Sequence, residues 1–220
     1  MAKASDAINR VIYIEGGFVN NPADKGGPTK YGITQAVYDK FIGRKSTIDE
    51  IKNMPIGNAY QIYKKNYWDK VRGDEIKSYA VAYAIFDQAV NWGLDKAIKR
   101  TQRVLNEPET GTLSDAQLSL LNSIDEQAFI DSYLEFARQA YLLTVASNPQ
   151  YEQFKDGWLN RVEKIRSYVY SRFQQVLSNV AVTAKENAFP ISMITLIAVG
   201  GIVYFYMNRN KSPKLIPQGN

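Results

Sequence analysis

The fold of this chain is organised around residues 15–34, which read EGGFVNNPADKGGPTKYGIT. Just before this stretch, apolar residues and one acid recur at i, i+3, i+4 and i+7: Ile8, Val11, Ile12 and Glu15. That spacing places side chains on one face of a helix, so Glu15 ends an apolar stripe. The two glycines that follow are predicted to stop the helix, because glycine is favoured just past a helix C-terminus.

Glu15 is the first candidate catalytic residue. A carboxylate is unusual at this position, because the last turn of a helix carries partial negative charge and prefers cations. Apolar neighbours and the helix dipole both favour a neutral carboxylic acid over a carboxylate. A carboxylic acid that keeps its proton is what a general acid needs. The alternative interpretation is a surface glutamate beside a flexible turn.

The residues after Glu15 predict a short β-hairpin between Phe18 and Thr34. Turn formers occupy residues 20–22 and 25–28, and residues 31–34 read as a short strand. Asp24 and Thr29 fall within this segment. In a glycosidase, one carboxyl group protonates the leaving oxygen while a second activates or orients water. We therefore predict that Glu15 and Asp24 are catalytic and that the Thr29 hydroxyl assists by holding the water.

The same residues carry a family resemblance. The pattern Glu-Gly-Gly, followed by Asn-Pro-x-Asp-x-Gly-Gly-Pro-Thr-x-Tyr-Gly-Ile-Thr, resembles the bacterial and phage muramidases of glycoside hydrolase family 108. The order Glu, Asp, Thr also resembles phage-type lysozymes more broadly. The resemblance implies a mainly α, lysozyme-like helical fold with a small β-hairpin at the active site. It also implies hydrolysis of the β-1,4 bond between N-acetylmuramic acid and N-acetylglucosamine in peptidoglycan.

Two other functions stay open at this point. A lytic transglycosylase would use Glu15 alone, as acid and then as base, with a hydroxyl of the sugar as the nucleophile. A candidate of another class is a non-catalytic structural protein of a membrane-containing virion, in which a lysozyme-like fold has lost its activity.

Composition excludes several other chemistries. The 220 residues include no cysteine and no histidine, which excludes disulfides, Cys/His zinc sites, cysteine nucleophiles and Ser-His triads. Carboxylates are the acid–base groups that remain, and we expect no cofactor and no metal. The formal net charge of +5 suggests a polyanionic partner. No nucleic-acid motif is present, so we expect peptidoglycan glycan strands rather than nucleic acid.

Candidate substrate-binding residues lie in and beyond the hairpin. Residues 56–68 predict an aromatic-rich helix whose rings either fill the core or form a platform for sugars. Residues 78–93 alternate small and bulky side chains and predict a buried central helix. Asp87 and Asn91 lie on one face of it, where they either brace neighbouring loops or, as the resemblance implies for Asn91, reach the cleft. The predicted cleft residues are Tyr31, Thr34, Tyr67, Trp68 and Asn91.

We predict a catalytic lobe in residues 1–93 and a second helical lobe in residues 94–177. The second lobe resembles, more weakly, the predicted peptidoglycan-binding module of the same muramidases. Its loop 109–113 reads ETGTL, which departs from the Asp-Gly-x-x-Gly pattern usual in that family. The alternative is that this half simply completes one helical fold.

The C-terminal part predicts a membrane anchor. Residues 188–207 read AFPISMITLIAVGGIVYFYM and carry no charge, and a helix of this length spans a bilayer core of about 30 Å. Residues 178–187 would form a stalk, and residues 208–220 a basic tail. We therefore expect a lipid bilayer as a partner, in a virion or bacterial inner membrane, with the catalytic part towards the wall. Contacts with other virion proteins are a further expectation.

Overall fold

The computed structural model describes residues 2–20 and 26–186, and helices make up most of this part of the chain. The mainly α class expected from the sequence is confirmed. The helices are α1 (Ala2–Glu15), α2 (Gln35–Ile42), α3 (Ile48–Lys52), α4 (Ile56–Tyr63), α5 (Tyr79–Trp92), α6 (Leu94–Val104), α7 (Asp115–Leu121), α8 (Glu126–Ser147) and α9 (Glu152–Glu186).

Helix α5 is the centre of the first part of the structure. Every residue from Ala80 to Ala89 is buried, as the alternation of small and bulky side chains predicts. Ser78 caps the helix, because its hydroxyl accepts a hydrogen bond from the Val81 backbone at 3.1 Å. Helices α1 and α6 pack against α5. The helix therefore forms a fixed apolar wall behind the end of α1.

A three-stranded antiparallel sheet follows α1. Its strands are β1 (Phe18–Val19), β2 (Thr29–Lys30) and β3 (Ile33–Thr34), in the order β1-β2-β3. The predicted strand over residues 31–34 is wrong in its first half, because Tyr31 and Gly32 form the two-residue turn between β2 and β3. Both have positive φ, +54° and +72°, as a type I′ hairpin turn requires.

The aromatic-rich helix is also interrupted. The α-helix ends at Tyr63, and residues Lys64–Trp68 form a π-helical turn. The Asp69 N–H donates to the carbonyl of Lys64, five residues earlier, at 2.9 Å, which is the hydrogen-bond spacing of a π-helix. This turn changes which side chains face the core at the end of the helix.

The described chain divides into two compact units, with the boundary between Ala140 and Tyr141. The predicted boundary at residue 93 falls inside the first unit, where α5 and α6 pack together. The second unit contains a ring cluster at the start of α9, with centroids 5.3–6.4 Å apart: Tyr141, Tyr151, Phe154 and Trp158. The predicted stalk continues α9 as far as Glu186.

The predicted membrane anchor, residues 188–207, lies outside the described residues. Among the helices that the structure describes, none is both long enough and apolar enough to span a bilayer.

The loop 109–113 is held by the buried side chain of Gln102 on α6. The Gln102 amide donates to the Thr110 hydroxyl at 2.8 Å and to the Thr112 carbonyl at 2.9 Å, and its oxygen accepts from the Gly111 N–H at 3.1 Å. Glu109 accepts hydrogen bonds from Arg103 at 2.8 and 2.9 Å. These contacts hold the loop against α6, and both interpretations of residues 94–177 stay predictions.

A capping box on α3 makes the fold sensitive to acid. Glu50 accepts hydrogen bonds from Arg44 at 2.6 Å and from the Thr47 N–H at 2.8 Å, and these lower the pKa of Glu50 from its usual 4.5 to about 2. A folded-state pKa below the unfolded value adds stability that is present above the unfolded pKa and is lost as the pH falls through the folded one.

We expect the Tm to fall between about pH 4.5 and 2. Thermal melts should show a shallower fall in Glu50→Gln, and identical pH dependence in both proteins would contradict this assignment.

Candidate active site

Glu15 lies where the buried face of α1 ends. Ile8 and Val11 have no exposed surface, whereas Glu15 is half-buried. The apolar stripe predicted from the spacing is therefore confirmed. Gly16, with φ of +80°, ends the helix and donates its N–H to the Ile12 carbonyl at 3.2 Å. A partly exposed acidic residue therefore lies at the end of the helix.

The turn between β2 and β3 lies directly against this carboxyl group. The Tyr31 N–H donates to the Gly16 carbonyl at 3.1 Å, which ties the turn to the end of α1. A Cβ atom at Gly32 would lie 3.0 Å from Cγ and 3.1 Å from Cβ of Glu15. The same Cβ atom would lie 2.6 Å from the Tyr63 hydroxyl oxygen, so a residue larger than glycine would force the turn or its neighbours to shift. The small sheet therefore forms one wall around Glu15.

Two tyrosines from the end of α4 and the π-helical turn complete this wall. The Tyr63 hydroxyl donates to the Tyr31 carbonyl at 2.8 Å, and the Tyr63 and Tyr67 rings have centroids 5.9 Å apart. Burial raises the pKa of Tyr67, and the negative charge of Glu15 raises it further. The charge of Glu15 therefore acts on the half-buried Tyr67 hydroxyl, and the role of Tyr67 in the cleft stays a prediction.

The two threonines of the sheet have different local roles. The Thr29 hydroxyl donates to the Gly27 carbonyl at 3.2 Å, and Thr29 pairs with Val19 and Thr34 across the sheet. Thr34 is the N-cap of α2, and its hydroxyl accepts from the Val37 N–H at 3.4 Å. The catalytic role of Thr29 stays a prediction.

Asp24, the predicted second carboxyl group, lies in residues 21–25, outside the described residues. Its role as base or water-orienting group therefore also stays a prediction.

Trp68 is not on the surface of the site, contrary to our expectation. It has no exposed surface, its ring packs edge-on against Phe86 at 5.5 Å, and its indole N–H donates to Asp74 at 2.8 Å. This hydrogen bond is the main cause of the lowered pKa of Asp74. Gly73 makes room for the ring, because a Cβ there would overlap it. Trp68 is a core residue in this structure and offers no face to a sugar.

Asn91 is exposed near the end of α5, and its amide donates to the Asp87 carbonyl at 2.7 Å and to the Asp87 carboxylate at 3.3 Å. Asp87 is buried and also accepts a hydrogen bond from Tyr83 at 3.3 Å. All of these contacts lie within α5, so they show no bracing of a neighbouring loop, and both interpretations of the pair stay open. None of them joins Asn91 to the group formed by Glu15, Tyr31 and Tyr67.

Gly32 and Tyr63 are site residues that the sequence interpretation did not single out. Tyr-Gly between two short β-prone runs is a signal for a two-residue hairpin turn that would have identified Gly32. Tyr63 precedes Tyr67 by four residues and so shares its helix face. Neither pattern reveals that both residues converge on Glu15.

The geometry can support proton transfer to a bound substrate. A carboxyl group that reaches solvent from a rigid helix end can protonate an oxygen atom placed within hydrogen-bond distance. The rings beside it have faces of the kind that pack on the C–H groups of sugars.

Comparison with known proteins decides the family. The family model for glycosyl hydrolase 108 matches residues 8–93, which include α1 from Ile8 onwards, the sheet and α5. The solved structure of SagA from Brucella abortus is similar at 30% identity and a TM-score of 0.65, covering 77% of this chain and 95% of SagA. The chain belongs to the glycosyl hydrolase 108 family. No curated protein sequence matches it.

Membership of the glycosyl hydrolase 108 family makes this chain a glycoside hydrolase that acts on peptidoglycan. The matched residues contain Glu15, the Tyr31–Gly32 turn, Tyr63 and Tyr67. The part of the chain that defines the family is therefore the part in which these side chains meet.

Proposed function

We propose that this glycoside hydrolase is a muramidase that hydrolyses the β-1,4 bond between N-acetylmuramic acid and N-acetylglucosamine in peptidoglycan. The placement of Glu15 carries the proposal. Its carboxyl group is half-buried at the end of α1, held against the Tyr31–Gly32 turn and close to Tyr67.

Glu15 is the general acid in this mechanism. It donates its proton to the glycosidic oxygen as the bond to the anomeric carbon breaks, and the departing sugar leaves as a neutral alcohol. Asp24 activates or orients the water that adds to the anomeric carbon, and the Thr29 hydroxyl helps to hold that water. The atoms of one water molecule are thereby added across the broken bond.

The cleft in this proposal is lined by Tyr31, Tyr67, Thr34 and Asn91. Tyr31 and Tyr67 are half-buried and lie beside Glu15, so each can offer part of a ring to a sugar. Thr34 and Asn91 already make local hydrogen bonds, so their contribution would be secondary. Trp68 has no place in the cleft.

The products of digestion test the reaction type. Hydrolysis leaves reducing ends, whereas a lytic transglycosylase leaves anhydro-muramic ends, because a hydroxyl of the sugar replaces water. We expect reducing ends when purified peptidoglycan is digested with the full chain and the products are separated by mass spectrometry. We also expect Asp24→Asn to lose activity, because hydrolysis needs the second carboxyl group. Anhydro ends together with an active Asp24→Asn variant would establish the transglycosylase instead.

If the folded wild-type protein released no products of either kind, the non-catalytic virion protein would be the better interpretation. Membrane anchoring through residues 188–207, contacts with other virion proteins and a role in wall penetration or lysis stay predictions from the sequence.

A further inference from the structure

Tyr63 is buried directly behind the proposed general acid. Its side chain is 3% exposed, and its hydroxyl donates to the Tyr31 carbonyl at 2.8 Å. We propose that Tyr63 is a positioning residue for Glu15, because its hydroxyl holds the Tyr31–Gly32 turn against the Glu15 side chain. This inference rests on the proposed role of Glu15 as general acid and adds a residue through which the fold controls that role.

The Tyr63 hydroxyl, the turn and Glu15 meet at one point. A Cβ atom built on Gly32 would lie 2.6 Å from the Tyr63 oxygen and 3.0 Å from Cγ of Glu15. The hydroxyl and the Glu15 side chain therefore flank the same backbone position from two sides. Since the turn fills the space next to Cβ and Cγ of Glu15, it restricts rotation of that side chain.

The backbone conformation of the turn is stabilised by contacts from outside it. Tyr31 has φ of +54°, which is unfavourable for a residue with a side chain. Two hydrogen bonds stabilise it. The Tyr31 N–H donates to the Gly16 carbonyl, and the Tyr63 hydroxyl donates to the Tyr31 carbonyl. The two bonds engage both backbone polar groups of Tyr31, so loss of either one removes a restraint on the turn.

The position of the Tyr63 hydroxyl is itself set by the core. The Tyr63 ring packs edge-on against Phe86, with centroids 6.4 Å apart, and Phe86 is fully buried in α5. A rigid chain of contacts therefore runs from α5 through Tyr63 to the turn and then to Glu15. Sites held on such supports keep the geometry that proton transfer requires.

Removing the hydroxyl should therefore reduce the rate of the chemical step rather than substrate binding. Tyr63 is buried and does not line the surface, so we expect KM in Tyr63→Phe to stay within about twofold of wild type. A displacement of about 1 Å of a catalytic group can lower the rate by about 100-fold. We expect kcat to fall between about 10-fold and 100-fold.

Tyr83→Phe is the matched control. Tyr83 is 1% exposed, and its hydroxyl accepts from Arg10 at 3.1 Å and donates to Asp87 at 3.3 Å. The control removes a buried tyrosine hydroxyl that hydrogen-bonds to Arg10 and Asp87, so kcat should stay near the wild-type value. Initial rates on peptidoglycan, with the Tm of each full-length variant, supply the comparison. An unchanged kcat in Tyr63→Phe, or equal losses in both variants, would overturn the proposal.

Measuring Glu15→Gln beside the two tyrosine variants separates the acid role of Glu15 from the positioning role of Tyr63. If Glu15→Gln is inactive and Tyr63→Phe keeps full kcat, only the positioning role fails. If Glu15→Gln is fully active, the proposed function fails, whatever the result at Tyr63. Should Tyr63→Phe not fold, Gly32→Ala disturbs the same contact from the other side. A folded Gly32→Ala variant with wild-type kcat would then overturn the proposal, and one with lowered kcat and normal KM would support it.

Discussion

Glu15→Gln is expected to lose at least about 100-fold of the peptidoglycan-cleaving activity, which is the low end for removal of a general acid. Glutamine has the shape of glutamate but holds no acidic proton to give to the glycosidic oxygen. Because Glu15 is only half-buried, the isosteric change should leave the Tm close to that of wild type. Clearing of a peptidoglycan suspension, followed as loss of turbidity, measures the effect.

Glu107→Gln is the matched control for this experiment. Glu107 is also half-buried, and it follows α6 outside the family match. The substitution therefore removes a comparable carboxyl group at a position away from Glu15. We expect full activity in this variant. Full activity in Glu15→Gln as well would show that another group supplies the proton, and the mechanism proposed for Glu15 would have to be abandoned.

Sequence patterns predicted best the features that depend on neighbours along the chain. A helix cap joins a side chain to a backbone N–H only three residues later, as at Thr34 and Thr47, so it depends on the local sequence rather than on the fold. Burial of α5 followed in the same way from a continuous run of small and bulky residues. The end of α1 at Glu15 was readable because a glycine follows an apolar stripe.

Local sequence patterns did not predict which single aromatic residues are buried. Tyr67 and Trp68 are adjacent in the sequence and appeared equally suited to the cleft, yet Tyr67 is half-buried beside Glu15 and Trp68 is entirely in the core. The π-helical turn sets their directions, and Gly73 and Phe86 make the space that Trp68 fills. These are tertiary contacts, which residue type and spacing do not encode.

The contact that links Tyr63 to the turn joins residues 32 positions apart. Periodicity relates residues within one helix or strand, so it identifies Tyr63 as a partner of Tyr67 and says nothing about Tyr31. The sequence therefore predicted Glu15 as the candidate acid and the approximate hairpin. The contact from Tyr63 to the Tyr31–Gly32 turn was visible only in the structure.

Gly32→Ala is expected to lower activity by about 100-fold, the scale of a 1 Å misplacement of a catalytic group. The new methyl group would lie 2.6 Å from the Tyr63 oxygen and 3.0 Å from Cγ of Glu15, so the turn or one of these side chains must move. The variant also places alanine at φ of +72°, which destabilises it by roughly 1–2 kcal/mol. Both kcat and the Tm should therefore fall.

Gly43→Ala separates these two effects. Gly43 ends α2 with φ of +75°, and a Cβ there would have no atom within 4 Å. It therefore undergoes the same backbone destabilisation as Gly32→Ala without the steric conflict, so its Tm should fall while its kcat stays at the wild-type value. If the two variants lost activity equally, the loss would follow from backbone strain or reduced stability. A large loss in Gly32→Ala alone would instead show that the close fit of the turn against Glu15 is needed for catalysis, because the two changes differ mainly in what the added methyl group meets.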